Sequence, residues 1–364
     1  MPSWRAISSG RGSSVLHASR LISLATAVPP HVLVQSDVSA AASNIFSSRY
    51  KDFDRLSRVF DTAGIDKRHA VQPLEWFFEQ HGWPERTAAY LEGALSLFVE
   101  AATKALDQAG IGAKEIDTIV TVSSTGIATP SLEARAFGLM GFREDVQRVP
   151  VFGLGCAGGV SGLSIAARLA AAQPGSTVLL VAVELCTLAF RLDELTKANI
   201  VATALFGDGA AACVLRSAGE GIAEVEAAGE HTWQDTLDIM GWNVDPEGFG
   251  VVFARAIPPF AEEHLGPAVS GILDRVGLGM NDVDRFICHP GGKKVITALE
   301  RALSLHQGSL DHERVVLSEY GNMSAPTVLF VLKRAVQAGL PHRSVLTALG
   351  PGFTASCVSL KSAA

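Results

Sequence analysis

Two stretches of this 364-residue chain repeat one another at a nearly constant distance. Residues 105–117 match residues 272–284 at an offset of 167, and a second set near 148–168 matches one near 314–334 at an offset of 166. The identical pairs are Leu106/Leu273, Asp107/Asp274, Gly110/Gly277, Gly112/Gly279 and Asp117/Asp284, then Arg148/Arg314, Val149/Val315, Gly155/Gly321, Leu163/Leu329 and Arg168/Arg334. In each copy of the first set a helical pattern ends, a glycine turn follows and an apolar strand begins. Such repeats predict a duplicated α/β unit, with the boundary near residues 217–221.

The duplication divides the chain into two predicted halves. We expect residues 21–218 to form the first half and residues 219–364 the second, each with a mainly β-branched sheet packed between helices. The apolar runs 177–183 and 345–348 are buried strands in this prediction. Residues 1–20 are rich in serine and arginine and lack the apolar segment of a secretory signal. We interpret them as a disordered tail, with a transit peptide as the alternative.

The junction between an apolar run and a helix at residues 153–158 reads Gly-Leu-Gly-Cys-Ala-Gly. Cys156 would lie at a helix start, where unpaired N–H groups and the helix dipole favour a thiolate, so it is a candidate nucleophile. The same glycines satisfy the spacing of a dinucleotide-binding loop, with Glu184 as a ribose-binding acid. A third interpretation is a small buried cysteine among glycines that permit close helix packing. The duplication counts against the dinucleotide loop, which usually follows the first strand of its domain.

The repeat also relates two polar residues to this junction. Asn322 is the counterpart of Cys156 in the second copy, and His289 ends the strand of the second repeat. In a fold with two-fold-related halves these positions meet at one end of the sheet. A cysteine with a remote histidine and asparagine supplies a nucleophile, a base and a polarising donor. A lone histidine or asparagine is more often a surface or turn residue, so the repeat-related positions are what single these two out.

Composition and charge indicate which classes of ligand and cellular environment this chain does not suit. The net charge of −7 and the pI near 5.8 argue against general nucleic-acid binding. The longest apolar runs fall short of the ~18 residues that a membrane span requires, so no span is expected. The five cysteines form no C-x-x-C pair, so neither a disulfide framework nor a metal site is expected, and a cytoplasmic protein fits best. Apart from Cys156, we interpret them as inert core thiols.

Five motifs in combination resemble the type III polyketide synthases, the chalcone and stilbene synthase-like enzymes of the thiolase superfamily. They are GCAGG at 155–159, LFGDGAA at 205–211, HPGG at 289–292, YGNMSAPTVLF at 320–330 and GPGF at 350–353. The resemblance implies an α/β, thiolase-like fold, with a duplicated five-layered αβαβα architecture and an internal pseudo-two-fold axis. The related ketoacyl-carrier-protein synthase III group also uses Cys, His and Asn, but typically follows its histidine with Gln-Ala-Asn where this chain has Pro-Gly-Gly.

This resemblance implies iterative decarboxylative condensation of coenzyme A thioesters by a homodimer, without a carrier protein, metal or other cofactor. Cys156 would take a starter from acyl-CoA and hold the growing chain as a thioester. His289 would pair with the thiolate of Cys156. With Asn322, it would also donate hydrogen bonds to the thioester carbonyl of malonyl-CoA, where decarboxylation leaves an enolate. The alternatives are a single carrier-protein-dependent condensation, as in the ketoacyl synthase III group, and non-catalytic binding of acyl-CoA.

The resemblance implies further roles around this centre. Phe206 would stand between the coenzyme A tunnel and the cavity, and Thr129 would reach across the dimer interface into the partner's cavity. The loop of Gly350, Pro351, Gly352 and Phe353 would shape the wall of the cavity. Lys67 and Arg68 would bind the phosphates of coenzyme A.

Two departures from the plant enzymes concern the substrate. Val251 falls near the position of a second gatekeeping phenylalanine, with Phe253 close by in a different register, and Ala189 replaces a threonine that is usual in chalcone synthases. Both changes predict a roomier cavity. The sequence as a whole is similar to the bacterial branch that makes alkylpyrones and alkylresorcinols, which predicts a medium- or long-chain fatty acyl-CoA starter.

Overall fold

A computed structural model describes residues 18–362. The helices are α1 Gln35–Phe46, α2 Phe53–Leu56, α3 Arg58–Thr62, α4 Trp83–Ala109, α5 Leu132–Met140, α6 Gly158–Ala172, α7 Lys197–Leu205, α8 Ile257–Asp274, α9 Lys293–Ala302, α10 Asp311–Tyr320 and α11 Thr327–Gln337. The strands are β1 Ser19–Ala27, β2 His31–Val34, β3 Lys67–Ala70, β4 Thr118–Val122, β5 Gln147–Val151, β6 Thr177–Leu185, β7 Asp208–Arg216, β8 Ala223–Thr232, β9 Met240–Asp245, β10 Gly248–Phe253, β11 Arg285–Cys288, β12 Arg343–Gly350 and β13 Thr354–Ser362.

Nine strands form one sheet, in the order β5-β4-β6-β7-β1-β8-β13-β12-β11. The parallel pairs lie towards its two ends, where β4 neighbours β5 and β6 and where β11 neighbours β12. The two halves of the sheet meet at β1 and β8, where residues 19–21 pair with residues 223–225. Strands β2 and β3, and strands β9 and β10, form separate two-stranded sheets. The long sheet therefore consists of two sub-sheets that are joined by a short contact.

The repeated segments adopt the same local structure in both halves. Gly110 after helix α4 has φ of 66°, and Gly277 after helix α8 has φ of 75°. This left-handed conformation explains why glycine recurs at both helix ends. The carboxylates of Asp117 and Asp284 then accept hydrogen bonds from the first N–H groups of strands β6 and β12, at 2.7 and 2.8 Å. The predicted duplication is therefore confirmed down to single hydrogen bonds.

Successive side chains of a buried strand point to opposite faces of the sheet, so they belong to different apolar cores. In strand β6, Val178, Leu180 and Ala182 belong to the core around helices α6 and α11. Leu179 and Val181 belong to the core on the opposite face, around helix α4. The outer face of the second sub-sheet packs on helices α8 and α9. The layers are therefore helices, sheet, helices, sheet and helices, which confirms the expected five-layered α/β architecture.

Helix α6 lies in the middle of these layers. Within residues 18–362, Gly155–Ala172 is the one segment long and apolar enough to cross a membrane. Most of it is buried, and it packs against strands of both sub-sheets. A helix that is apolar all round is expected where it packs on every side, so its composition follows from its central position.

The predicted tail at residues 1–20 falls largely outside the described residues. Ser19 and Arg20 already belong to strand β1, where they pair with strands β7 and β8. The tail was therefore predicted to end two residues too late.

Candidate active site

The turn that carries Cys156 is held by a serine from a neighbouring loop. A single 3-10 turn, Gly155–Ala157, lies between strand β5 and helix α6. Ser124 Oγ accepts hydrogen bonds from the N–H groups of Gly153 and Gly155, at 3.2 and 3.3 Å. These contacts fix the backbone on the N-terminal side of Cys156, whose side chain is almost completely buried.

The start of helix α11 brings Asn322 to this turn. A side chain at Gly159 would place its Cβ 2.2 Å from the carbonyl oxygen of Ala325, so only glycine permits this close approach of the two central helices. Asn322 Oδ1 accepts a hydrogen bond from the N–H group of Ser324 at 2.8 Å. Asn322 Nδ2 donates to the carbonyl oxygen of Gly291 at 3.3 Å. The amide is thereby oriented with its oxygen towards the N–H group of Ser324 and its NH2 group towards Gly291 and Cys156.

His289 reaches the same place from the end of strand β11. Its backbone N–H group donates to the carbonyl oxygen of Thr347 at 2.9 Å, which continues the pairing of strands β11 and β12 by one residue. Cys156, His289 and Asn322 all line one cavity of about 660 Å³. The three residues that the repeat pattern singled out therefore meet, although they come from both halves of the chain.

Burial determines the protonation of the thiol and the imidazole. It raises the pKa of the Cys156 thiol to about 11, and hydrogen bonds from Ser324 and Asn322 oppose this only in part. Burial also lowers the pKa of His289 to about 3, and neither ring nitrogen has a hydrogen-bond partner among the described residues. Burial therefore favours a neutral thiol and a neutral imidazole over a charged pair. The expected thiolate stays a prediction, because loss of hydration opposes the favourable helix start.

The raised pKa of Cys156 predicts how the rate of its alkylation depends on pH. We expect the rate of alkylation of Cys156 by iodoacetamide to rise about tenfold per pH unit between about pH 7 and pH 9, since the thiolate is the reacting form and its pKa lies higher. The measurement is mass spectrometry of the Cys156 peptide against time at each pH. A rate that is already constant below pH 7 would indicate a thiolate–imidazolium pair and contradict this assignment.

Six cationic side chains surround the opening of the cavity. They are Arg55, Arg58, Lys197, Arg255, Lys293 and Lys294. None of them forms an ion pair within residues 18–362. Burial, and after it the nearby Arg255 and Arg55, lower the pKa of Lys197. Uncompensated positive charge of this kind attracts a ligand that carries several negative charges.

Aromatic rings pack beside Asn322. The backbone of Phe206 is bridged to that of Asn322, and its ring lies 5.7 Å from the ring of Phe253 and 6.1 Å from that of Trp242. Phe253 lines the 660 Å³ cavity. Trp242 Nε1 donates to the carbonyl oxygen of Ser124 at 2.9 Å, which holds the indole against the loop that supports the Cys156 turn. The rings of Trp242 and Phe253 therefore pack on the ring of Phe206.

Comparison with known proteins identifies the family. The N-terminal domain of the chalcone and stilbene synthases matches residues 9–219, and the C-terminal domain matches residues 224–364. The chain belongs to the chalcone and stilbene synthase family. It is 41% identical over 344 residues to the 1,3,6,8-tetrahydroxynaphthalene synthase of Streptomyces peucetius subsp. caesius, which covers 92% of this chain and 91% of that relative.

Two further similarities extend this result. The chain is 29% identical over 348 residues to the alpha-pyrone synthesis polyketide synthase-like Pks18 of Mycobacterium tuberculosis, covering 91% of this chain and 88% of that one. The crystal structure of 1,3,6,8-tetrahydroxynaphthalene synthase from Streptomyces coelicolor A3(2), a bacterial type III polyketide synthase, superposes with a TM-score of 0.90 at 30% identity, covering 94% and 99% of the two chains. The chain is therefore a type III polyketide synthase.

The two basic residues predicted to bind phosphate in this synthase point in different directions. Lys67 and Arg68 are neighbours in strand β3, so one is exposed and the other is buried. The Arg68 side chain is 1% exposed, and its guanidinium donates to Gln35 Oε1 and to the carbonyl oxygens of Thr203 and Ala204. The prediction was wrong for Arg68, which anchors helix α7 instead. Lys67 is exposed but does not line the cavity.

The expectation of a roomier cavity in the synthase stays a prediction, and the two positions on which it rests lie outside the cavity wall. Val251 is buried against Phe206 and does not line the cavity, whereas Phe253 presents its ring there. The aromatic side chain beside Phe206 is therefore that of Phe253, which lies two residues after Val251 in strand β10. Ala189 is buried and does not line the cavity either. Trp242, which was not predicted to lie near the site, packs on Phe206 in the same cluster as Val251.

The glycine-rich loop 350–353 of the synthase packs against the turn that carries Cys156. A side chain at Gly350 would place its Cβ 2.6 Å from the carbonyl oxygen of Leu154, and the Pro351 ring packs where a side chain at Gly155 would lie. Phe353, after the left-handed Gly352, is completely buried in the outer core of the second half. The expected cavity wall is formed by the residues just before this loop, 347–349.

The remaining predicted positions of the synthase lie away from this cavity. Thr129 is exposed on the surface of the single chain. Burial raises the pKa of Cys213 and of Cys357 to about 12, and raises that of Cys186 and of Cys288 well above the ordinary value, so these thiols stay protonated. Among residues 18–362, no group of three or more His, Cys, Asp or Glu side chains is arranged to hold a metal ion.

Proposed function

We propose that this synthase condenses an acyl-CoA starter with several malonyl-CoA extenders, using Cys156 as the nucleophile and no carrier protein, metal or other cofactor. The observation that carries the proposal is one cavity that contains Cys156, His289 and Asn322 and opens through six unpaired cations. The cations suit the phosphates of coenzyme A, because arginine and lysine bind phosphate by charge-assisted hydrogen bonds. A polar recess beside the opening, which includes Tyr50 and Asp52, offers room for the nucleotide end of the same ligand.

The first step transfers the starter acyl group from coenzyme A to Cys156. The thiol proton passes to a ring nitrogen of neutral His289 as the sulfur attacks the thioester carbonyl. The oxyanion collapses, the bond to the coenzyme A sulfur breaks, and the imidazolium returns its proton to that leaving thiolate. The products are acylated Cys156, free coenzyme A and neutral His289, so the base is ready for the next step.

The second step forms the carbon–carbon bond. The thioester carbonyl of malonyl-CoA accepts hydrogen bonds from Asn322 Nδ2 and from an N–H group of His289. Carbon dioxide leaves, and the electron pair remains as an enolate on that oxygen, where the two donors stabilise the charge as it develops. The enolate carbon attacks the acyl group, and the bond to the Cys156 sulfur breaks. The thiolate of Cys156 then attacks the thioester of the lengthened chain, the bond to the coenzyme A sulfur breaks, and coenzyme A leaves as a thiolate that takes a proton from solvent. The chain is again held on Cys156 for another cycle.

Removal of a cation at the opening is expected to weaken coenzyme A binding without changing the chemistry. For Arg58→Ala, we expect KM for malonyl-CoA to rise about tenfold with kcat nearly unchanged, since a charged hydrogen bond contributes about 1.5–3 kcal/mol. Lys67→Ala is the control, because it removes an exposed cation of strand β3 that does not line the cavity. Equal effects of the two substitutions on KM would contradict this location of the coenzyme A phosphates.

We further propose that the starter is a medium- or long-chain fatty acyl-CoA and the product an alkylpyrone or alkylresorcinol. Apolar side chains such as Val59, Met240 and Leu265 line the cavity, which suits an alkyl group. The relative named for alpha-pyrone synthesis supports the same product class. A second candidate uses malonyl-CoA alone and forms a tetrahydroxynaphthalene. It is favoured by the 41% identical relative and by the packing of Trp242 behind Phe206.

One experiment separates these candidates. The purified protein is supplied with malonyl-CoA and either no starter or acyl-CoAs from acetyl to palmitoyl, and the products are analysed by mass spectrometry. Pyrones or resorcinols whose mass follows the acyl chain support the fatty acyl starter, whereas tetrahydroxynaphthalene formed equally without a starter supports the second candidate. A requirement for acyl carrier protein, or release of no carbon dioxide with any starter, would overturn the proposed function.

We propose that the synthase is a homodimer. Strand β5 is the last strand of the sheet, so one of its edges is unpaired within the chain. Ile127 and Leu139 belong to the segment between strands β4 and β5, and Phe152 directly follows β5. All three are large, exposed and apolar, which is typical of an interface. Exposed Thr129 belongs to the same region. Light scattering that gives the mass of a single 38.3 kDa chain would contradict the proposal.

A further inference from the structure

The β9–β10 hairpin, residues 240–253, is held against the rest of the chain by its side chains. Its two strands pair only with each other. Within residues 18–362, no hydrogen bond between backbone groups connects it to another segment. The hairpin carries Met240 and Phe253, which line the catalytic cavity, and Trp242, whose ring packs on Phe206. The side chains that hold the hairpin therefore also hold one wall of the cavity in place.

A buried arginine in the loop before helix α7 binds the turn of this hairpin. Arg191 Nη1 donates to Asp245 Oδ2 at 2.6 Å, at the end of strand β9. The Arg191 side chain is 6% exposed, and its other N–H groups donate to the carboxylate of Asp193. These hydrogen bonds lower the pKa of both carboxyl groups, so the ion pairs are charged at neutral pH. Charge-assisted hydrogen bonds are stronger than neutral ones, which makes Arg191 a firm attachment point.

The backbone of Arg191 is itself fixed to helix α7. Asn199 Oδ1 accepts a hydrogen bond from the N–H group of Arg191 at 3.4 Å, and Asn199 Nδ2 donates to the carbonyl oxygen of Arg191 at 2.7 Å. Helix α7 carries Val201 and Leu205, which line the catalytic cavity. Arg191 therefore connects two walls of one cavity, helix α7 and the hairpin, although it does not line the cavity itself.

The two carboxylate oxygens of Asp245 have separate partners. Oδ1 accepts hydrogen bonds from the N–H groups of Glu247 and Gly248, at 2.8 and 3.2 Å, which closes the turn between the two strands. Oδ2 binds Arg191. The carbonyl oxygen of Asp245 also accepts a hydrogen bond from Trp83 Nε1 at 3.0 Å, and the Trp83 ring lies 5.0 Å from the ring of Phe249. The bond to Arg191 can therefore be removed without removing the contacts that shape the turn.

We propose that the Arg191–Asp245 ion pair determines the length of the polyketide by holding the hairpin against the catalytic cavity. The proposal rests on the proposed iterative condensation and adds a pair of positioning residues that touch no substrate. With the pair intact, Phe253 and Trp242 stay packed on Phe206, and the cavity limits the number of malonyl-derived units. Without the pair the hairpin moves outwards, and the chain has room for a further unit before it cyclises.

Asp245→Asn tests the ion pair and leaves the turn intact. Asparagine Oδ1 still accepts from the two N–H groups of the turn, whereas its NH2 group faces the donors of Arg191. Products formed from malonyl-CoA, alone and with octanoyl-CoA, are analysed by mass spectrometry. We expect the ratio of products with one additional malonyl-derived unit to the normal product to rise about threefold to tenfold, since a lost charged hydrogen bond shifts an equilibrium by about that factor. The kcat for malonyl-CoA consumption should change by less than about twofold, because Cys156, His289 and Asn322 are untouched.

Glu226→Gln is the matched control for Asp245→Asn. It removes the same charge from the ion pair with Arg343, which is similarly buried and does not line the cavity. Hydrogen exchange of the peptide 240–253, followed by mass spectrometry, reports whether the hairpin is loosened. We expect faster exchange and the longer product in Asp245→Asn, and neither change in Glu226→Gln. Unless both changes occur in Asp245→Asn and in that variant alone, the proposal is wrong.

Trp83→Phe decides the matter if Asp245→Asn does not fold. It removes one hydrogen bond to the carbonyl oxygen of Asp245 and keeps an aromatic ring against Phe249. We expect a shift towards the longer product of about twofold, since a neutral hydrogen bond is lost, and an unchanged ratio would overturn the proposal. If the unmodified protein forms no polyketide from malonyl-CoA with any starter, the proposed function itself fails, and that outcome is distinct because it does not depend on the hairpin.

Discussion

Cys156→Ala is expected to abolish polyketide formation, with a loss of at least about 10⁴ in rate, since no other group can hold the acyl chain as a thioester. Decarboxylation of malonyl-CoA should persist, because His289 and Asn322 still donate hydrogen bonds to the thioester carbonyl. The measurement is therefore twofold: polyketide by mass spectrometry, and carbon dioxide release from labelled malonyl-CoA. The substitution separates the role of the nucleophile from that of the two donors.

Cys213→Ala is the control for Cys156→Ala. Cys213 is a completely buried thiol in the sheet core and does not line the catalytic cavity, so its loss should affect stability slightly and product formation hardly at all. Substantial polyketide formation by Cys156→Ala, or equal loss in the two variants, would exclude Cys156 as the nucleophile.

Asn322→Asp is expected to lower the rate of condensation by about 10²–10³ with little change in structure. Asparagine and aspartate have the same shape, and a carboxylate oxygen can still accept the hydrogen bond that Asn322 Oδ1 accepts from Ser324. The donor from Nδ2 is lost, and an ionised carboxylate repels the enolate oxygen. Loading of Cys156 with a starter should fall much less than condensation, because the enolate forms only in the second step.

Single-turnover kinetics distinguishes the two steps for Asn322→Asp. Loading is followed by protein mass and condensation by product formation after malonyl-CoA is added to acylated protein. Asn281→Asp makes the same chemical change at an exposed position in the second repeat and should leave both rates unchanged. Equal loss of loading and condensation in Asn322→Asp would indicate a general structural defect rather than a missing donor.

The centre of the proposed site was predictable because the duplication relates its parts. Asn322 follows a glycine with positive φ in the second copy, as Cys156 does in the first, so the equivalence in sequence becomes an equivalence in backbone geometry. His289 lies at the end of a strand whose start the repeat had already located. Local sequence thus reveals positions that the fold brings together through its internal symmetry.

The opening of the cavity was not predictable in this way. Its six cations come from helices α2, α3, α7 and α9 and from the loop before helix α8, and only the tertiary structure makes them neighbours. One error could have been avoided. Lys67 and Arg68 are adjacent in an extended segment, where successive side chains point to opposite sides, so they do not share one surface ligand. Trp242 was missed because its position in the sequence does not show that its ring packs on Phe206.

The burial of helix α6 on all sides has a consequence for the origin of such a chain. One half alone would expose to water the faces of its sheet and central helix that now pack against the other half, so an ancestral half would have been stable only as a pair of identical copies. Both helix junctions of that pair would have carried the same residue. In a single chain that contains both copies, each junction can change independently, and here one carries a thiol while the other carries an amide.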